Sequence, residues 1–138
     1  MVTLIIGKKG SGKTKKLIQL ANEAVAKSQG NVVVIEKGAK LTYDVTHKAR
    51  LIDTDVYGIS GYNMLLGFIS GICAGNYDVT DIFVDSTFKI CPEVMDGLEE
   101  FIASLDALST EAEANITLLI SAADGELPAD LKAEKVEI

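Results

Sequence analysis

The chain has no tryptophan, two prolines, two cysteines, one histidine and one arginine. Aromatic residues make up only 6% of it, too few for the stacking platforms that hold single-stranded nucleic acid. Cys73 sits in an apolar run, Cys91 precedes Pro92, and His47 stands alone. No metal-ligand spacing results, and both thiols are expected to be reduced, as in the cytoplasm. Low-complexity tracts, internal repeats and an interdomain linker are also missing, so 138 residues are expected to form one domain, 1–138. Met1 leads straight into an apolar strand with no room for the charged and apolar regions of an export signal, which again points to the cytoplasm.

Charge is missing in two places. Val56 to Tyr77 has no charged residue, yet its apolar part, Met64 to Ala74, is shorter than the ~20 residues a membrane span needs, so no membrane is expected. Residues 1–16 hold five lysines and no acid. Of 13 basic and 20 acidic residues in all, the rest of the chain therefore keeps eight bases against 20 acids, a balance of −12 within a net charge of −7. Such a body repels polyanions, which disfavours nucleic acid and makes the basic patch a local phosphate site.

The patch is Gly7-Lys8-Lys9-Gly10-Ser11-Gly12-Lys13-Thr14, which fits G-x-x-x-x-G-K-[ST]. Before it, Val2-Thr3-Leu4-Ile5-Ile6 reads as a buried strand. After it, Lys13 to Gln29 carries Leu17, Leu20, Ala21, Ala24 and Val25 at helical spacing. Glycines let the backbone turn so that successive N–H groups and the helix N-terminus face one point, where an anion is attracted. In this setting the chain resembles the P-loop NTPase superfamily, with Gly7, Gly12, Lys13 and Thr14 at the Walker A positions. The resemblance implies that Lys13 reaches the β- and γ-phosphates of a nucleotide, ATP, and that Thr14 ligates Mg²⁺. Lys8, Lys9, Lys15 and Lys16 add positive potential nearby.

Asn31 to Glu36 is a continuous apolar run ending in an acid, suited to a strand covered on both faces. Lys37 to Ile59 suggests two short strands, or a hairpin, around Tyr43-Val45 and Leu51-Ile52, and it holds His47 and Arg50. Ser60 reads as the cap of a helix whose buried face is Met64, Leu65, Phe68, Ile69, Ile72 and Cys73. Gly67, Gly71 and Gly75 on that helix are expected to allow close packing on the sheet or on a partner subunit. Pro92 suits a first helical position, with Val94, Leu98, Phe101, Ile102 and Leu105 following on one face and Glu93, Asp96, Glu99 and Glu100 on a solvated one. Lys135 to Ile138 can form a last short strand.

Thr80 to Asp85 is a second apolar strand ending in an acid, and it resembles the Walker B pattern. A carboxylate there can hold Mg²⁺ opposite Thr14. Many ATP-hydrolysing members of the superfamily carry glutamate directly after that aspartate, whereas here Ser86 follows. RecA-like members use a glutamate at the end of a neighbouring strand, so the resemblance implies that Glu36 could act as base instead; otherwise it is simply a polar residue leaving the core. Ser121, ending Ile116 to Ser121, stands where ATPase members of the superfamily often place a polar sensor of the γ-phosphate, a role the resemblance implies; otherwise it is a strand-terminal serine.

These elements predict a three-layer α/β sandwich with a mainly parallel sheet. The resemblance implies strand order 5-1-4-3-2, counting loop, edge, Asp85, Ser121 and terminal strands in sequence. The function expected is a small ATP·Mg²⁺-binding protein, either a weak ATPase or a nucleotide-dependent regulatory module read by a protein partner or within a homodimer. The alternative is a small-molecule or nucleoside kinase, which would bring a lid bearing arginines, and only Arg50 is present.

Overall fold

The computed structural model describes all 138 residues. Its centre is a six-stranded sheet of β1 (Val2–Gly7), β2 (Asn31–Glu36), β3 (Arg50–Asp53), β4 (Val79–Val84), β5 (Asn115–Ser121) and β6 (Glu134–Glu137), in the order β3-β2-β4-β5-β1-β6. All five strand pairings are parallel. Parallel neighbours need long crossovers, and these are supplied mainly by α1 (Lys13–Lys27), α2 (Tyr62–Gly75) and α4 (Leu98–Ala112), with the short α3 (Thr87–Ile90) after β4.

Strand alternation divides the core into two layers. In β1, Leu4 and Ile6 pack with Leu65 and Ile69 of α2 and Ile102 and Leu105 of α4, while Ile5 packs with Leu17 and Ala21 of α1. The two-sided burial explains why the central strands read as unbroken apolar runs. Fully burying one such side chain is worth about 1.5–3 kcal/mol. No helix is long and apolar enough to cross a membrane.

The strand order differs from the expected 5-1-4-3-2. Arg50–Asp53 forms a sixth strand that pairs parallel outside β2 and takes the edge. No hairpin forms between Lys37 and Ile59. The stretch around Tyr43-Val45 is turns, with the N–H groups of Asp44 and Val45 on the Leu41 carbonyl. This places Leu41, Val45 and Ala49 against the α1 layer, so the segment crosses over the sheet and its strand must run parallel.

Two helix starts also differ. Helix α2 begins after Gly61 rather than on a Ser60 cap, and its first N–H, from Tyr62, donates to the Glu93 carboxylate at 3.1 Å. Helix α4 starts at Leu98, because Gly97 in the left-handed region (φ 89°) interrupts the chain after Pro92 and leaves Val94 outside it. On α2, Met64 is exposed, and a Cβ at Gly67, Gly71 or Gly75 would meet nothing within 4 Å. These glycines therefore do not serve close packing on the sheet.

Candidate functional site

At the carboxyl end of β1 the chain must reverse into α1 within five residues. Gly10 and Gly12 take left-handed φ values of 84° and 94°, which side chains disfavour, and space beside both is open. Gly7 is closed in by contrast, since a Cβ there would lie 2.5 Å from Ser11 Oγ. Helix α1 has no side-chain cap and no acid in its first turn, so its N-terminal dipole is uncompensated.

The loop opens onto a cavity of about 550 Å³, within the ~300–1,000 Å³ range of small-molecule sites. Gly10, Gly12, Lys13 and Thr14 line it from the loop, as does Lys9. Asp85, Ser86 and Ser121 line it from the neighbouring strand ends. Gly7, Lys8 and Ser11 do not: Gly7 and Ser11 pack on each other, and Lys8 supplies the carbonyl to which Lys13 Nζ donates at 3.0 Å. Burial lowers the Lys13 pKa from its usual value, and the nearby Asp85 charge partly opposes this.

Asp85 is only 8% exposed. Its N–H donates to the Ile35 carbonyl at 2.8 Å, tying the end of β4 to β2. Oδ1 accepts from the Thr14 hydroxyl at 3.2 Å, and Oδ2 accepts from the Ser86 hydroxyl at 3.0 Å. Residues 71 apart in sequence thus meet because β5 alone separates β1 from β4. Ser86 itself is left-handed, with φ 54° and ψ 48°.

Glu36 is not brought to this cavity. Its carboxylate is buried, with Oε1 accepting from the Lys40 N–H at 3.0 Å and Oε2 from the Leu41 N–H at 3.2 Å. Burial raises its pKa most, the two N–H groups lower it, and Asp85 and Asp53 add smaller raising effects. Asp53 serves the same loop, with Oδ1 accepting from the N–H of Gly38 at 2.8 Å. Arg50 and His47 are both exposed, and Arg50 begins β3 at the opposite end of the sheet.

Lys15, one of the lysines expected to add positive potential, reaches the cavity from α1. Phe88 and Lys89 from α3 and Leu119 from β5 are further walls that sequence reasoning missed. A helix of four residues has no periodicity to read, so nothing short of the structure flagged Lys89. Four lysines thus surround a single carboxylate, an arrangement suited to a ligand with several negative charges. No group of three or more histidine, cysteine or acidic side chains is placed so that it could hold a metal ion by itself. Thr14 and Asp85 are the groups able to share a hard cation with an anionic ligand, as Mg²⁺ requires when phosphates supply the other oxygens. No protein-family model matches the chain, and no curated protein matches it in sequence.

Proposed function

We propose that this chain is a small ATP·Mg²⁺-binding protein of the P-loop NTPase kind, acting as a weak ATPase or as a module whose nucleotide state a partner reads. The observation that carries the reading is the meeting of Lys13, Thr14 and Asp85 at one lysine-rich cavity. The residues fit the ligand. Open, Cβ-free positions at Gly10 and Gly12 suit the close approach of a phosphate, and the exposed start of α1 suits its charge. Lys13 would hold the β- and γ-phosphates, and Thr14 with Asp85 would hold the metal. Bound Mg²⁺ supplies neutralisation of phosphate charge.

Slow hydrolysis follows from the lining. Asp85 is its one carboxylate, engaged through both oxygens, and Glu36 is committed to backbone N–H groups. A positioned general base contributes ~10²–10⁴-fold, so turnover should fall short by about that factor. Phosphate release from ATP·Mg²⁺ should lie near background and be the same in Glu36→Gln. Brisk release that Glu36→Gln abolishes would make Glu36 the base and reject this account of the lining. No arginine lines the cavity, so nothing in it favours the kinase alternative.

A further inference from the structure

Three non-glycine residues adopt positive φ, Ser86, Val94 and Glu113, and only Ser86 borders the cavity. Its backbone makes the turn from β4 into α3, with its carbonyl accepting from the N–H groups of Lys89 at 2.9 Å and Ile90 at 3.2 Å. Glycine would perform that turn without strain. The backbone therefore gives no reason for a serine, whereas the side chain does: its hydroxyl donates to Asp85 Oδ2 at 3.0 Å, leaving Oδ1 toward Thr14.

We propose that Ser86 is a positioning residue which fixes the rotation of the Asp85 carboxylate, so that Oδ1 is presented to the cation-binding place beside Thr14. Ser86 acts through Asp85, by the hydrogen bond it donates to Oδ2. The inference rests on the nucleotide reading above. It also gives the position after Asp85 a task, since a serine hydroxyl orients a carboxylate there but cannot serve as the base.

Three variants separate the side chain from the backbone. Ser86→Gly removes strain and hydroxyl together, Ser86→Ala removes the hydroxyl alone, and Ser86→Asn keeps a donor on a residue that tolerates left-handed φ. ATP affinity is measured by calorimetry with and without Mg²⁺, and melting temperature alongside. Ser86→Gly should melt above wild type, yet it and Ser86→Ala should each lose about tenfold of the Mg²⁺-dependent gain in affinity, as expected for a hydrogen bond to a charged group. Metal-free affinity should change by less than the Mg²⁺-dependent gain, and Ser86→Asn should recover most of that gain. A Ser86→Gly protein that keeps the whole Mg²⁺-dependent gain would overturn the positioning role while leaving the nucleotide site standing. Wild-type protein that binds no ATP would overturn the nucleotide reading and this role with it.

Discussion

Two neighbouring strands, β2 and β4, each have a buried acid at the carboxyl end, Glu36 as the last residue of β2 and Asp85 directly after β4, and the two acids have different partners. Asp85 accepts from two side-chain hydroxyls, those of Thr14 and Ser86. Glu36 accepts from two backbone N–H groups, those of Lys40 and Leu41. A hydroxyl can rotate away and let a cation take its place. A backbone N–H cannot leave without unmaking the loop, and if Leu41 lost its acceptor a buried donor would be left unsatisfied. Burial alone therefore does not distinguish the two carboxylates; the nature of their donors does.

The largest effects should separate the two regions cleanly. Lys13→Ala should weaken ATP binding about 10- to 100-fold, the worth of a charge-assisted hydrogen bond. Its melting temperature should not fall, because the variant removes a desolvated cation whose pKa burial already lowers. Unchanged affinity in the folded variant would mean that the loop is not the binding site.

Glu36→Ala should show the reverse pattern. Two N–H groups lose their acceptor, at about 1–3 kcal/mol for a buried donor left unmade, so denaturant unfolding should shift while ATP affinity stays near wild type. If affinity falls and stability does not, the acids have been assigned the wrong way round.

The smallest effect is in pH. The Glu36 pKa is raised in the folded state, chiefly by burial, so the folded protein holds this proton more tightly than the unfolded chain. Its contribution to stability is full below the ordinary carboxylate range and is lost as pH rises through the raised value. The melting-temperature difference between wild type and Glu36→Gln should therefore move in favour of wild type as pH falls from neutral toward about 4.3. A difference independent of pH would show that the carboxylate is not desolvated.

What could be read from the sequence was local. The spacing of Gly7, Gly12, Lys13 and Thr14 marks a tight reversal between an apolar strand and an amphipathic helix, and that reversal is what forms. Asp85 was legible as a strand-end acid, but not its second partner, because the Ser86 bond depends on a backbone conformation that residue type does not disclose. Strand β3 is only four residues long, too short for alternation to set its direction. Glu93 looked like part of a solvated helix face, yet it caps a different helix, since the break at Gly97 removes it from α4. Each miss comes from a short element or a contact between distant segments, where tertiary packing overrides the local pattern.

The most direct test of the central claim, that Asp85 and Thr14 form the cation side of a nucleotide site, is calorimetric titration of wild type and Asp85→Asn with ATP, each with and without Mg²⁺. Asparagine keeps the shape and loses the charge. The account predicts a metal-free affinity in Asp85→Asn no weaker than in wild type, since a repelling charge is gone, and a Mg²⁺-dependent gain present in wild type but largely absent from Asp85→Asn. An Asp85→Asn protein that gains as much from Mg²⁺ as wild type would contradict it.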